Sequence, residues 1–266
     1  MPGVRDAMAA WGLRGDPAPL QSLQGGVARV GRAILKPVAD AVEAEWCAEL
    51  LDALPADGFR LARPVRTQDG RWVAHGFTAW SWVEGEPARD GQWPDVLAAG
   101  RALHQALAGV PCPDFLVHRS HRWAVADRVA WGETDVAVIT ELAGPVARLQ
   151  RRLGPVEAPP QIIHGDLSGN TLLGPGLPPA IIDFSPYWRP PEYAAAIVVV
   201  DAMLWHGAGA NLMEVAASGP GWHQHLARAW LFRMVALSQY VASVDSGAVA
   251  EVAPALAVAS EIEGRL

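Results

Sequence analysis

The chain has 266 residues, a net charge of −7 and a hydrophobic fraction of 51%. This length allows one large domain or two small ones, and the hydrophobic fraction is enough for a sizeable core. The acidic balance and the lack of a basic cluster beyond Arg151 and Arg152 exclude a nucleic-acid surface. No signal-peptide pattern and no apolar run of membrane-spanning length occur, so the sequence predicts a cytoplasmic protein without a membrane partner.

The two cysteines, Cys47 and Cys112, have neither metal-ligand spacing nor a redox CxxC pattern. The simplest interpretation is that both are free thiols. No sequence feature indicates an oligomeric state, so that state is left unknown.

The N-terminal segment predicts a helix followed by a strand-turn-strand. Met1–Leu13 is rich in alanine and typical of a short helix. Leu20–Leu23 is expected to lead into a turn at Gly25 and Gly26, and Val27–Leu35 is expected to return as a strand. A glycine pair of this kind suits a loop that covers phosphate groups, and it also suits a plain turn.

Lys36 ends this predicted strand and is the only lysine in the chain, since the other twenty basic residues are arginine. A compact ammonium can contact phosphate oxygens and a carboxylate together, whereas the planar guanidinium needs different room. The next segment, Asp40–Leu54, has helical periodicity and would carry the carboxylate partner of Lys36. Glu43 is the first choice by helix geometry, with Glu45 and Glu49 as the alternatives.

A tryptophan-rich β-hairpin is predicted next, with Phe59–Arg66 and Arg71–Val83 as strands and Asp69–Gly70 as its turn. Its end, Trp80–Gly85, contains aromatic residues that could flank a bound ring or simply fill the core. A domain boundary is expected near Gly85. Beyond it, helical patterns are predicted in five segments: Val96–Leu107, Asp127–Ala130, Val136–Leu153, Glu192–His206 and Trp222–Leu256.

The stretch Gln161–Tyr193 carries the chemistry. Two short apolar runs, Gln161–Ile163 and Ala180–Ile182, each end in polar residues. Gly174–Gly176 and Pro178–Pro179 are read as a turn, so the runs are expected to lie side by side and to bring three polar residues into one cleft. Those residues are Asp166, Asn170 and Asp183. A carboxylate base plus an Asp and an Asn as oxygen ligands is the set that Mg²⁺-dependent phosphoryl transfer needs.

HGDLSGN, which contains Asp166 and Asn170, and IIDF, which contains Asp183, resemble the catalytic and metal-binding loops of the aminoglycoside phosphotransferase and choline kinase group. The resemblance covers most of the chain, and DFSPYWRPPEY is similar to an actinobacterial branch of that group. It implies an α+β, bilobal, protein-kinase-like fold with a small β-rich lobe and a larger helical lobe. Residues 1–85 would be the nucleotide-binding lobe and residues 86–266 the catalytic and substrate-binding lobe.

The resemblance also implies a role for each candidate residue. The activity would be ATP-dependent (or GTP-dependent) transfer of the γ-phosphate to a hydroxyl of an aminoglycoside-, sugar- or choline-like molecule, with Mg²⁺. Asp166 would be the base, braced by His164 and by Asp201, while Asn170 and Asp183 would hold the metal. The nucleotide would be bound by Lys36, Glu43, Gly25, Gly26, Trp82 and Glu84. His104 resembles a helix histidine of the group and is expected to be structural.

The sequence leaves two questions open: which residues contact the acceptor, and whether the protein transfers phosphate. Tyr187, Trp188, Arg189 and Glu192 follow the metal loop, where they would contact a substrate or form a structural turn. In the group, the metal asparagine usually follows the base by five positions, whereas Asn170 follows Asp166 by four. The second hypothesis is therefore an impaired kinase-like protein that binds nucleotide or a partner without transfer, and the third is a Mg²⁺-dependent hydrolase.

Overall fold

The computed structural model describes residues 3–20, 25–217, 219, 221–243 and 252–266. The chain forms two compact units. Unit 1 comprises Met1–Glu86 and Asn170–Phe184, and unit 2 comprises Pro87–Gly169 and Ser185–Leu266. The segment that carries Asn170 and Asp183 thus belongs to the N-terminal unit, although it lies far along the chain.

The secondary structure is α+β, as the sequence predicts. The first elements in chain order are α1 (Val4–Ala10), β1 (Ala18–Pro19), β2 (Ala28–Val30), β3 (Ala33–Pro37), α2 (Ala41–Ala53), β4 (Arg60–Leu61), β5 (Pro64–Val65), β6 (Val73–Ala74), β7 (Phe77–Ser81) and β8 (Glu86–Pro87). The remaining elements are α3 (Trp93–Ala106), α4 (Phe115–His118), α5 (Arg122–Ala130), α6 (Thr140–Arg152), β9 (Gln161–His164), β10 (Thr171–Gly174), β11 (Leu177–Ile181), β12 (Pro186–Arg189), α7 (Pro191–Trp205), α8 (Asn211–Val215), α9 (Trp222–Ser243) and α10 (Val252–Glu263).

The main sheet of unit 1 has the strand order β1-β2-β3-β7-β5, with β6 also paired to β7. All of these pairs are antiparallel, and Lys36 lies opposite Thr78. One face of the sheet packs against α1 through buried side chains such as Met8, Leu35 and Phe77. Burial of this apolar surface fixes the position of β3, the strand that carries Lys36.

Two tight turns shape the strands of unit 1, one that the sequence did not predict and one that it did. Val27–Leu35 is wrong as a single strand, because Gly31 and Arg32 form a two-residue turn between β2 and β3. Gly31 has φ +59°, which suits the first central position of a two-residue hairpin. The predicted turn at Asp69–Gly70 is confirmed, with the Gly70 N–H donating to the Thr67 carbonyl at 2.9 Å. Of the predicted first strand, residues 21–24 lie outside the described residues.

The helix α2 begins at a capped N-terminus. The Asp40 carboxylate accepts hydrogen bonds from the Val42 and Glu43 N–H groups at 2.9 and 3.1 Å. This cap satisfies two of the free N–H groups at the helix start. The buried residues of the helix are Cys47, Ala48 and Leu51, while Trp46 and Leu50 are half-buried.

The prediction that Gln161–Ile163 and Ala180–Ile182 lie side by side is wrong for the described residues. β9 pairs with β12, whereas β11 pairs with β10 and with β4. The reason is local, because Thr171–Gly174 forms a strand that the sequence did not predict. This strand pairs with β11 across a short turn. Pro178 and Pro179 lie within β11 rather than in that turn, beside an irregular register of the hairpin.

Unit 2 is built around α9, a helix of 22 residues. It packs against α5, α6, α7 and α10, and its buried residues include Trp230, Phe232 and Arg233. The predicted helices of this unit are found as α3, α5, α6, α7, α9 and α10, and residues 244–251 of the predicted segment Trp222–Leu256 lie outside the described residues. The short helices α4 and α8 carry too few residues for a periodic signal. None of the helices in the described residues combines the length and the apolar character needed to cross a bilayer.

Candidate functional site

In unit 1, Lys36 and Asp183 form an ion pair. The Lys36 Nζ lies 2.8 Å from the Asp183 Oδ1, and the two side chains are 23% and 58% exposed. Asp183 has φ +51°, a left-handed conformation that is uncommon for a residue other than glycine. Such backbone conformations cluster at functional sites, where the surrounding structure holds them in place. The chain thus bends sharply at the residue that presents its carboxylate to the lysine.

Asn170 and Asp183 lie at the open end of the β10–β11 hairpin. Thr171 pairs with Ile181, and the Ile182 N–H donates to the Asn170 carbonyl at 2.9 Å. Hairpin pairing therefore places Asn170 opposite Ile182, next to Asp183. This pairing explains how two residues thirteen positions apart reach the same end of one element.

The partner of Lys36 in the structure is Asp183. Glu43 is half-buried on the first turn of α2, whereas Glu45 and Glu49 are exposed. The pairing of Lys36 with Glu43 stays a prediction. The ion pair to Asp183 shows that the lysine already contacts the carboxylate expected to hold a metal.

The glycine turn and the end of β7 also lie in unit 1. Gly25 and Gly26 have φ +68° and +74°, and Leu20 donates its N–H to the Val27 carbonyl, so the glycines lie in the loop between β1 and β2. At the end of β7, the Trp82 N–H donates to the Arg32 carbonyl at 2.8 Å. The Glu84 carbonyl accepts from Arg60 Nη2 at 2.9 Å. Contacts of these groups with a nucleotide stay predictions.

In unit 2, two buried histidines position the segment that leads to Asp166. The His164 N–H donates to His104 Nε2 at 3.1 Å, and the Asp166 N–H donates to His164 Nδ1 at 3.1 Å. Burial lowers the pKa of His104 to about 3, with the neighbouring His164 adding to the effect. His104 is therefore neutral at physiological pH, which leaves its Nε2 able to accept the hydrogen bond. Both histidines act through backbone contacts, in agreement with a bracing role.

Asp166 is joined to a buried polar network. Arg233 Nη2 donates to Asp166 Oδ1 at 2.8 Å and to Asp201 Oδ2 at 2.6 Å, while its Nε donates to Asp201 Oδ1 at 2.7 Å. The Ser168 hydroxyl donates to Asp201 Oδ2 at 2.6 Å. The buried Asp201 is therefore hydrogen-bonded within the protein. Burial raises the pKa of the Asp201 carboxyl, and the guanidinium of Arg233 opposes that shift.

The four residues predicted to contact a substrate separate into two places within unit 2. Tyr187, Trp188 and Arg189 line a cavity of about 370 Å³. Glu192 lines a different cavity, of about 100 Å³, between α3 and α7. In the first cavity, Arg189 is bound by Asp127 at 2.7 Å and by Glu133 at 2.6 Å. Contact of these four residues with a substrate stays a prediction.

The donor atoms of unit 1 fit a magnesium ion that is completed by a nucleotide. Among the described residues, no group of three or more His, Cys, Asp or Glu side chains could hold a metal alone. Mg²⁺ is usually bound through one or two carboxylates together with phosphates and water. Asp183 offers an exposed carboxylate, and Asn170 adds an amide oxygen at the same hairpin end.

Sequence reasoning missed Arg233, Asp127 and Glu133. The signal for Arg233 was a charged residue within an apolar helical run, LARAWLFRMVALS, which is costly to bury without a carboxylate partner. The partners themselves were hidden, because Arg233 is 67 positions from Asp166 and Asp127 is 62 positions from Arg189. Only the folded chain brings such residues together.

A sheet-rich unit that carries a lysine–aspartate pair and a helical unit that carries a braced aspartate define the kinase-like phosphotransferases as the class of this protein. The chain belongs to the phosphotransferase enzyme family, whose sequence profile matches residues 25–228. The resemblance drawn from HGDLSGN and IIDF is thereby confirmed. The actinobacterial branch stays a prediction.

Individual relatives agree with this membership. The chain is 32% identical over 117 residues to the probable ketoamine kinase YniA of Escherichia coli strain K12, a match that spans 42% of this chain and 40% of that relative. Amicoumacin kinase hAmiN, solved with AMP-PNP, Ca²⁺ and Ami, has a TM-score of 0.69 at 14% identity and covers 98% of this chain and 92% of its own. Spectinomycin phosphotransferase APH(9)-Ia, solved with ADP and spectinomycin, has a TM-score of 0.61 at 11% identity, with coverages of 99% and 98%. These likenesses confirm the protein-kinase-like fold.

Proposed function

We propose that this protein is a small-molecule kinase that transfers the γ-phosphate of ATP, or of GTP, to a hydroxyl group of its acceptor with the help of Mg²⁺. The observation that carries the proposal is the ion pair between Lys36, the only lysine in the chain, and Asp183 at 2.8 Å. Kinases use a lysine on a strand for the phosphates and an aspartate for the metal. We place the reaction in the cytoplasm.

The roles in unit 1 concern charge. Lys36 would neutralise the phosphates that are not transferred, and a compact ammonium suits that task because it can contact several oxygens at once. Asn170 and Asp183 would hold Mg²⁺. The metal, when bound, neutralises charge that develops on the phosphate oxygens.

The role in unit 2 is proton transfer. Asp166 would accept or orient the proton of the acceptor hydroxyl, and its side chain is 48% exposed, so an acceptor can reach it. His164 accepts the backbone N–H of Asp166 and would hold the loop rather than exchange protons. Asp201 would brace the same loop through Ser168.

The acceptor class is an aminoglycoside-, sugar- or choline-like hydroxyl compound. Support comes from the similar proteins, which include a probable ketoamine kinase, an amicoumacin kinase and a spectinomycin phosphotransferase. The cavity next to Tyr187 is large enough for part of such a molecule. Its two carboxylates, Asp127 and Glu133, are paired with Arg189, so a cationic acceptor would have to compete with that arginine.

A second candidate is a kinase-like protein that binds nucleotide without transferring phosphate. The observation that favours it is the four-residue separation of Asp166 and Asn170. The loop is one residue shorter than is usual in the group, and transfer depends on precise placement of the reacting groups.

Calorimetry with ATP and Mg²⁺, followed by a screen of acceptors for ATP consumption, tests both candidates. We expect binding that is weakened in Asp183→Asn and unchanged in the matched control Asp69→Asn, which removes an exposed carboxylate of a surface turn in the same unit. No nucleotide binding would refute both candidates. Binding without turnover on aminoglycosides, sugars, ketoamines or amino alcohols would favour the second.

A further inference from the structure

Arg233 lies in the middle of α9 and binds two carboxylates, those of Asp166 and Asp201. Its side chain is 4% exposed. A guanidinium presents its donors in a fixed planar fork, so one arginine can bind both oxygens of one carboxylate and still reach another. Here the fork holds Asp201 at both oxygens, and Nη2 also reaches Asp166.

The two carboxylates differ in what they need from the arginine. Asp201 is fully buried, and a buried carboxylate without a cation is strongly destabilising. Asp166 is 48% exposed and is solvated without help. Charge balance explains the bonds to Asp201, but it does not explain why the second N–H of Nη2 is directed at Asp166, a carboxylate that water already reaches.

We propose that Arg233 is a positioning residue for Asp166, which it holds at Oδ1 in the orientation that receives the acceptor proton. The inference rests on the proposed function in so far as Asp166 is taken as the base. Two bonds then fix Asp166 from opposite ends, because its N–H donates to His164 and its carboxylate accepts from Arg233. A base must be held within hydrogen-bond reach of its proton, and a misplacement of about 1 Å can cost about 10²-fold in rate.

The same arginine ties this orientation to the packing of the helices. Its guanidinium lies 4.9 Å from the Phe232 ring and 5.3 Å from the Trp123 ring, on α9 and α5. These contacts restrict the orientation of the guanidinium, and they therefore fix the direction in which it donates to Asp166. A lysine could not reproduce this arrangement, since a single ammonium cannot bind three separate oxygens in a plane.

The test is a pair of variants that separates charge balance from positioning. Arg233→Met alone leaves Asp201 as an uncompensated buried carboxylate, and we expect it to lower the melting temperature strongly. Asp201→Asn combined with Arg233→Met removes both buried charges together, and the asparagine still offers an oxygen to Ser168. Because such paired removal is often tolerated, we expect the double variant to melt within about 4 °C of the parent.

Positioning and charge balance predict different kinetics for this double variant. If Arg233 positions Asp166, kcat stays about 10²-fold below the parent while KM for the nucleotide changes little. Recovery of kcat together with stability would overturn the inference. The matched control is Arg228→Met on the same helix, an arginine that binds Gly154 and Gln224 rather than an aspartate, and it should leave kcat unchanged.

A second measurement does not depend on turnover. Crystal structures of the parent and of the double variant should show the Asp166 carboxylate in one orientation in the parent and rotated or disordered in the variant. An unchanged orientation would overturn the inference even if the parent transferred no phosphate. Absence of transfer by the parent would instead count against the proposed function, so the two failures are distinguishable.

Discussion

The two polar groups of the candidate site are built differently. In unit 1, Lys36 and Asp183 share one ion pair, and more than half of the Asp183 side chain is in water. In unit 2, Arg233 joins Asp166 and Asp201 with three hydrogen bonds, and both Arg233 and Asp201 are buried. An exposed pair can open at little cost, whereas a buried network cannot be rearranged one member at a time.

This difference suits the roles proposed for the two groups. A lysine and an aspartate that must accept a nucleotide and a metal need to exchange partners, so a weak mutual bond is an advantage. A base that must meet a hydroxyl in one geometry needs a fixed orientation. The contrast leads to four predictions.

The largest effect is expected from removing the base. Asp166→Ala should lower kcat by about 10²- to 10⁴-fold, the range for a positioned general base. Nucleotide affinity, measured by calorimetry, should stay close to that of the parent because Asp166 lies outside unit 1. Unchanged turnover would show that Asp166 is not the base. A large loss of nucleotide affinity would show that Asp166 also takes part in nucleotide binding.

The next effect concerns stability. Asp201→Ala should reduce the free energy of unfolding by about 3 to 5 kcal/mol, because it removes the main partner of the buried Arg233 guanidinium. Asp183→Ala, its counterpart in unit 1, should change the same quantity by less than about 1 kcal/mol. Urea denaturation measures both. Equal losses would show that burial does not separate the two groups.

A smaller effect is expected at Lys36. Lys36→Arg should fold normally but lose about 2 kcal/mol or more of transition-state stabilisation, because the larger planar head cannot serve both Asp183 and a phosphate in the same space. The measurement is kcat/KM on any accepted substrate. Since arginine fills every other cationic position in the chain, kinetics equal to the parent would show that the lysine has no special role.

The fourth prediction concerns acidity and His104, where the effect within any single pH unit is the smallest of the four. The pKa of His104 is lowered to about 3 from an ordinary value of 6.5. As the pH falls below 6.5, His104 therefore binds a proton in the unfolded chain but not in the folded chain. The stability from this group is complete above pH 6.5 and decreases by on the order of 1 kcal/mol per pH unit down to about pH 3. His104→Gln should flatten this part of the curve of unfolding free energy against pH. An identical slope in the variant would contradict the assignment.

The candidate residues could be named from the sequence because they occur in local motifs, and their roles stay predictions. His164, Asp166 and Asn170 occur within one loop, and Lys36 is recognisable by composition alone. The strand arrangement was only partly predictable. The proline pair Pro178–Pro179 is usual in a turn, but it lies in β11 because the neighbouring residues supply the ladder hydrogen bonds.

The part that could not be predicted depends on long-range contacts. Nothing near Arg233 in the chain reveals that it meets Asp166, and the spacing of Tyr187 and Glu192 does not show that they line separate cavities. Periodicity reports which face of an element is buried, but not which charged groups share that interior.

The single lysine also has a practical consequence. Because Lys36 is the only lysine in the chain, it carries the only side-chain amine, so any amine-reactive acylating reagent that modifies a side-chain amine must do so at this position. Its side chain is 23% exposed and engaged with Asp183, so the rate of modification reports how often that pair opens. A mass spectrum of the peptide that contains Lys36, which separates this label from one on the α-amino group, therefore measures local opening at one known side chain without mutation.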